Sequence, residues 1–180
     1  MSVLSIALAI LIQHEGGYVD HRADPGGATK YGISLRFLKK QQAIKGDIDD
    51  DGDIDADDIK KLTPDDVYKI YAKEFWDEYD LDEIADQKIA NILFGMLVNI
   101  GPHNAIKLIK KSANQVLKEN ILEADGALTP HSIQVINGVD RDKLLFKYKW
   151  ELSKYYNDLV DRNPKLDVFL NGWLRRLNTY

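Results

Sequence analysis

Apolar residues recur at three- and four-residue spacing along most of the chain, and clusters of Gly, Pro, Asp and Asn separate the periodic segments. This pattern predicts a mainly α-helical protein. Start signals for helices are the N-cap residues Ser2 and Ser34 and the sequence Thr63-Pro64-Asp65-Asp66. The predicted helices cover roughly residues 2–14, 34–43, 63–76, 86–99, 102–120, a short segment from 130, 140–161 and 164–177.

Residues 16–33 interrupt the helical pattern, because they are rich in Gly, Asp and Pro. Their strand-forming residues are Tyr18, Val19, Tyr31 and Ile33, and these predict a small β-hairpin near residues 18–33. The chain shows no internal repeat and no low-complexity linker. We therefore expect a single domain over residues 1–180, with a soft division near residue 85 into lobes 1–85 and 86–180.

Composition limits the classes of function. The 180 residues are 44% hydrophobic and 29% charged, which suits a globular domain rather than a disordered chain. Cysteine is absent, so disulfides, thiolate metal sites and cysteine nucleophiles are excluded. The net charge is −5, yet residues 47–58 hold eight Asp, which leaves 21 acidic against 24 basic residues elsewhere. We expect no nucleic-acid partner, because a general nucleic-acid binder carries a strongly basic surface.

The acidic segment matches an EF-hand calcium loop position by position. Its ligand-type residues at loop positions 1, 3, 5, 7, 9 and 12 are Asp47, Asp49, Asp51, Asp53, Asp55 and Asp58. Gly52 stands where the loop turns sharply. Calcium prefers six to eight oxygen ligands, which this spacing supplies. The sequence therefore predicts a structural Ca²⁺ site of modest affinity, because position 12 is Asp rather than Glu. The alternative is a solvated acidic run.

Two carboxylates with contrasting surroundings precede this loop. Glu15 ends an apolar helix, where poor solvation and the negative end of the helix dipole favour the protonated carboxyl that a general acid needs. Asp24 lies nine residues on in a Gly-rich turn, and Thr29 carries a hydroxyl able to hold a water. Such a pair suits glycoside hydrolysis. On composition alone, Asp24 is more often a turn-former and Glu15 an exposed helix end.

The same segment resembles a known family. It contains Glu15-Gly16-Gly17-Tyr18, Asp24-Pro25-Gly26-Gly27-Ala28-Thr29 and Tyr31-Gly32-Ile33-Ser34. These motifs resemble the N-terminal motif of glycoside hydrolase family 108, N-acetylmuramidases of phages and bacteria. The resemblance implies a lysozyme-like fold and hydrolysis of the β-1,4 bond between N-acetylmuramic acid and N-acetylglucosamine in bacterial peptidoglycan.

The resemblance also implies roles for individual residues. Glu15 is the expected general acid, with Asp24 and Thr29 positioning or activating water, and Asp20 is the reserve candidate for the second carboxylate. Tyr18 and Tyr31 are candidates to bind substrate by stacking on sugar faces, and packing within the hairpin explains them equally well.

The C-terminal half resembles the family's predicted peptidoglycan-binding region. The matching motifs are Asn99-Ile100-Gly101, Asp125-Gly126-Ala127-Leu128-Thr129-Pro130 and Gly172-Trp173-Leu174-Arg175-Arg176. Two positions depart from the family pattern, since Gly95 replaces an acid and Ile109-Lys110 replaces a Leu-Gln pair. The calcium loop resembles an insertion between the first two family motifs.

Other side chains favour structural roles. The three tryptophans, Trp76, Trp150 and Trp173, predict core positions. A basic helix face, solvated or meeting the anionic cell wall, is predicted from Lys107, Lys110, Lys111 and Lys118.

The resemblance as a whole implies an endolysin, which we expect to be monomeric. The apolar stretch from Val3 to Ile12 is about half a membrane span and lacks the flanks of a signal peptide, so we expect a buried helix without membrane insertion. Synthesis in the bacterial cytoplasm, with release to the periplasm or cell wall through a holin or a dedicated export route, is the expected path. The alternative is a non-catalytic, calcium-dependent cell-wall binding or secretion-accessory protein.

Overall fold

The computed structural model describes residues 1–15, 18, 27–40 and 46–180, with the backbone alone at His14 and Glu15. Nine α-helices and a two-stranded antiparallel sheet make up this part of the chain, which confirms the mainly helical prediction. The helices are α1 (Leu4–Glu15), α2 (Leu35–Lys40), α3 (Ala56–Lys61), α4 (Pro64–Tyr71), α5 (Gln87–Ile100), α6 (Pro102–Leu117), α7 (Pro130–Gly138), α8 (Arg141–Arg162) and α9 (Asp167–Leu177). Strand β1 (Thr29–Lys30) pairs with β2 (Ile33–Ser34).

Two local predictions need correction. The buried Ser2 hydroxyl donates to the Leu81 carbonyl at 2.5 Å, so it fastens the chain to that segment rather than capping α1, which begins at Leu4. The helix from Pro64 keeps α geometry only to Tyr71 and continues as a π-helical turn over Ala72–Trp76. Short 3-10 turns stand at Leu81–Glu83 and Pro164–Leu166.

The described chain forms two compact units, one of residues 8–74 and the other of residues 1–7 and 75–180. In the unit of residues 8–74, the hairpin packs against α2 and α3. The Ser34 hydroxyl accepts from the Phe37 N–H at 3.2 Å, which confirms the predicted cap of α2. The buried apolar residues of this unit include Leu11, Ile33, Leu38, Ile59, Ile70 and Tyr71.

The other unit, called here the helical unit, is built around α5. Nine consecutive residues of α5, 89–97, are buried, and each large apolar side chain among them contributes about 2 kcal/mol of burial free energy. Helix α6 packs on α5, α8 packs on α6, and α9 packs on α8. None of the described helices is both long enough and apolar enough to cross a membrane.

Candidate active site

Thr29 lies on β1, beside a two-residue turn formed by Tyr31 and Gly32. These two residues have positive φ angles of 53° and 80°, which is the type I′ combination that fits the twist of a hairpin. The Thr29 hydroxyl is half-buried and donates to the Gly27 carbonyl at 3.3 Å. The hairpin gives Thr29 a fixed register, with Ser34 as its partner across the sheet. Its strands lie at the end of the predicted region 18–33, and Tyr18, which was predicted to be a strand residue, lies outside both strands.

Lys30, for which the sequence analysis predicted no role, connects the hairpin to the end of α3 by hydrogen bonds. Its ammonium donates to the carbonyl of Lys60 at 2.6 Å and to that of Leu62 at 2.9 Å, both at the end of α3. From α4, the Tyr71 hydroxyl donates to the Tyr31 carbonyl at 3.1 Å. A sequence pattern cannot mark these contacts, because the acceptors are backbone carbonyls that only the fold brings close.

Glu15 is the last residue of α1, as the apolar pattern predicts, so its backbone stands at the negative end of the helix dipole. Asp24 and the reserve candidate Asp20 lie outside the described residues. The roles of Glu15, Asp24 and Asp20 therefore stay predictions.

The two candidate stacking residues have different surroundings. The Tyr18 side chain is 38% exposed. Tyr31 is half-buried, and the Lys30 ammonium lies 5.5 Å from the centroid of its ring. Both side chains thus keep accessible surface, which a sugar-stacking role requires.

The acidic loop gathers five of its six predicted ligands into two groups that share one residue. Within each group, one carboxylate oxygen per residue lies within 4.8 Å of the others. The groups are Asp47, Asp49, Asp58 and Asp53, Asp55, Asp58. The sixth residue, Asp51, belongs to neither group, and its Oδ1 accepts from the Asp53 N–H at 3.1 Å. Neighbouring carboxylates, Asp51 first, raise the pKa of Asp53, which is a direct sign of this crowding.

The predicted lysine face of α6 is only partly a surface. Lys110 is 3% exposed and donates to an Asp125 carboxylate oxygen at 2.6 Å and to the Ala127 carbonyl at 3.0 Å. Lys111 pairs with the buried Glu151 at 2.9 Å. The prediction of a solvated four-lysine face is wrong for Lys110, because the chain after α6 returns over it.

Trp150 is 44% exposed, so the prediction of a core position is wrong for this residue, whereas Trp76 is buried against Phe94. The buried stripe of α8 runs along its other face. The ammonium groups of Lys147 and Lys154 lie 5.0 and 4.7 Å from the Trp150 ring centroid. One turn earlier, Phe146 is 69% exposed. We call Phe146, Lys147, Trp150 and Lys154 the aromatic–basic strip.

Tyr180 explains the departure at Gly95. A Cβ atom at position 95 would overlap the hydroxyl of Tyr180, whose ring covers this point of α5. A side chain at position 95, acidic or otherwise, is incompatible with that placement. Tyr180 therefore occupies the space that a side chain at position 95 would need.

Comparison with known proteins agrees with this architecture. Residues 8–101 match the family described as Glycosyl hydrolase 108, and residues 104–178 match the Predicted Peptidoglycan domain. The solved structure of SagA from Brucella abortus shares this fold, with a TM-score of 0.75 and 22% sequence identity. The aligned region covers 97% of this chain and 88% of the SagA chain. A search of curated proteins found no match. Because the first match spans more than half of the 180 residues, the chain belongs to the glycosyl hydrolase 108 family, glycoside hydrolases of lysozyme-like fold.

Proposed function

We propose that this protein is an endolysin-type N-acetylmuramidase, which hydrolyses the β-1,4 bond between N-acetylmuramic acid and N-acetylglucosamine. The observation that carries the proposal is the family match over residues 8–101, which includes Glu15, Asp24 and Thr29. The second match, over residues 104–178, supports peptidoglycan as the substrate.

In this proposal Glu15 is the general acid. It protonates the glycosidic oxygen of the leaving sugar, which requires a carboxyl that is still protonated near neutral pH. The position of Glu15 at the C-terminal end of α1 supports this role, because the helix dipole there disfavours the carboxylate.

Asp24 and Thr29 would act on the attacking water from the other face of the sugar. Asp24 accepts the proton of the water, while the Thr29 hydroxyl orients it. The Thr29 hydroxyl donates its proton to Gly27 and keeps lone pairs that can accept from a water. Attack from this face predicts inversion at the anomeric carbon, so the new reducing end is first released as the α-anomer.

Digestion of purified peptidoglycan tests which glycosidic bond is cleaved and whether Glu15 is the general acid. Wild type, Glu15→Gln and the charge-matched control Glu78→Gln are compared in calcium buffer, and the products are identified by mass spectrometry. We expect new reducing-end N-acetylmuramic acid from wild type and control only. Near-normal release by a folded Glu15→Gln would remove Glu15 from the role of acid, and reducing-end N-acetylglucosamine would overturn the bond assignment. No product from wild type would favour the non-catalytic wall-binding or secretion-accessory alternative.

The second role needs its own test. Asp24→Asn should lower kcat severely, and a loss below about tenfold, or about 1.4 kcal/mol, would remove Asp24 from the role of base. Early-time proton NMR of the products reports the anomer. A β-anomer at first release would contradict direct attack by water.

We further infer that the aromatic–basic strip of α8 contacts the cell wall. Exposed aromatic rings can stack on sugar faces, and the flanking ammonium groups of Lys147 and Lys154 complement the carboxylates of peptidoglycan stem peptides. Beside the strip, Val116 and Phe146 line a shallow pocket of about 310 Å³ together with Asp142, Lys143 and Lys147. The strip lies inside the segment that matches the peptidoglycan domain.

A further inference from the structure

The acidic loop brings three carboxylates together. An oxygen from each of Asp47, Asp49 and Asp58 lies within 4.8 Å of the other two, and Asp58 is only 1% exposed. Carboxylates at this separation repel one another unless a cation or a set of donors lies between them.

Asp49 supplies an independent observation. Its side chain is 6% exposed, and its Oδ2 pairs with the Lys61 ammonium at 2.5 Å. Its Oδ1 is buried and has no hydrogen-bond partner. A buried polar atom without a partner is rare in folded proteins, and a metal ion is one of the ligands that would satisfy it.

Backbone donors hold the neighbouring carboxylates in place around Asp49. Asp47 accepts from the N–H groups of Asp51 and Gly52, each at 3.0 Å. Asp58 accepts from Ile48 at 2.6 Å and from the Asp55 N–H at 2.7 Å. Asp58 Oδ1 also accepts from the Asp49 N–H at 3.4 Å. The two Asp47 oxygens and Asp58 Oδ2 accept one bond each and retain a further lone pair, so these bonds orient them without preventing them from binding a cation.

The donor set selects the kind of cation. All ligand atoms offered by the loop are oxygens, from at least five carboxylates, which suits a hard cation of high coordination number. Magnesium prefers octahedral geometry and keeps several waters, whereas calcium accepts many protein oxygens at flexible angles. The chemistry therefore favours Ca²⁺.

The loop is also connected to the candidate active site. It leads directly into α3, and the carbonyls of Lys60 and Leu62 at the end of α3 accept from Lys30. Lys30 follows Thr29 on β1. We propose that residues 47–58 bind one calcium ion, and that this ion holds the hairpin carrying Thr29 in place through α3 and Lys30. Only the catalytic importance of holding Thr29 in place rests on the proposed function.

Calorimetric titration of the whole protein with CaCl₂ in 0.15 M KCl tests the site. We expect one calcium per chain, with much weaker binding of MgCl₂. Asp49→Asn should weaken calcium binding at least tenfold, whereas Asp57→Asn, which removes the same charge from an exposed position of the loop, should change it less than threefold. No stoichiometric binding by wild type would overturn the site, whatever the variants do. Equal weakening by both variants would mean diffuse charge attraction and would also overturn it. Asp47→Asn replaces Asp49→Asn if that variant does not fold.

Hydrogen exchange measured with and without calcium tests the connection. In wild type, calcium should slow exchange of the Leu35 N–H, which is bonded to the Ala28 carbonyl beside the hairpin, at least fivefold. In Lys30→Met that protection should be lost while calcium binding stays within threefold, and Lys39→Met should behave as wild type. Protection confined to residues 47–62 in wild type would overturn the connection. These readouts do not depend on glycan cleavage, so a failure of the proposed activity would leave them unchanged.

Discussion

The ammonium of Lys110 lies 2.6 Å from the Asp125 carboxylate, and the lysine side chain is buried although that of Asp125 is 43% exposed. The same ammonium donates to the Ala127 carbonyl, so one lysine of α6 holds both ends of the turn at residues 125–127. Between them, Gly126 has a φ of +84°, and a Cβ atom there would overlap the His103 ring. The Asp-Gly-Ala sequence that resembles a family motif is thus a turn that closes on α6, which gives it a structural reason.

Lys110→Met should lower the free energy of unfolding by about 2 kcal/mol, because methionine keeps most of the buried stem and loses both hydrogen bonds. Urea denaturation followed by tryptophan fluorescence measures the change. Lys107→Met, at an exposed position of the same helix, is the matched control and should lie within about 0.5 kcal/mol of wild type. Equal stability of the two variants would show that the two hydrogen bonds of the Lys110 ammonium contribute nothing.

The effect of Gly95→Ala on the free energy of unfolding should depend on the residue at position 180. In wild type the added methyl group displaces the Tyr180 ring, and we expect a loss of about 1 kcal/mol. With Tyr180→Ala the space is free, and the higher helix propensity of alanine should make the same change neutral or stabilising by up to about 1 kcal/mol. A double-mutant cycle from urea denaturation gives the coupling free energy, and a value near zero would contradict the overlap.

Features that depend on local contacts could be predicted from the sequence, and features that depend on long-range contacts could not. Helix periodicity, the Ser34 cap and the EF-hand spacing depend on residues a few positions apart, so the sequence predicted α2, the hairpin and the grouping of Asp47, Asp49 and Asp58. Burial of Lys110 depends on how the chain after α6 returns, which no periodicity encodes. The Lys30 contacts were missed for the same reason, since both acceptors are carbonyls about thirty residues away. Trp150 is exposed because the buried stripe of α8, which contains Leu144, Tyr148 and Leu152, runs along the other face of that helix.

Tyr31→Asn should stabilise the hairpin and weaken substrate binding. Tyrosine at a φ of 53° is strained, whereas the Asn-Gly pair is the preferred type I′ turn, so we expect a gain of about 1 kcal/mol in the free energy of unfolding. If the Tyr31 ring stacks on a sugar, KM for soluble glycan fragments should rise about tenfold with little change in kcat. Tyr31→Phe, which keeps the ring, is the control and should keep a normal KM. A normal KM in Tyr31→Asn would assign Tyr31 to hairpin packing alone.

Trp150→Ala should weaken binding to the cell wall and leave the structure of the hairpin unchanged. Loss of the ring removes both the sugar-stacking surface and the group that the Lys147 and Lys154 ammonium groups contact, and we expect the apparent Kd to rise about tenfold. Sedimentation with insoluble peptidoglycan measures it, in a Glu15→Gln background so that the wall is not digested. Tyr68→Ala, which removes an exposed ring from α4, is the matched control and should bind as the parent does. The lysines should also make binding weaker in 0.3 M than in 0.05 M NaCl, because salt screens exposed charges. Equal binding by Trp150→Ala and Tyr68→Ala at both salt concentrations would place the wall contact elsewhere on the protein.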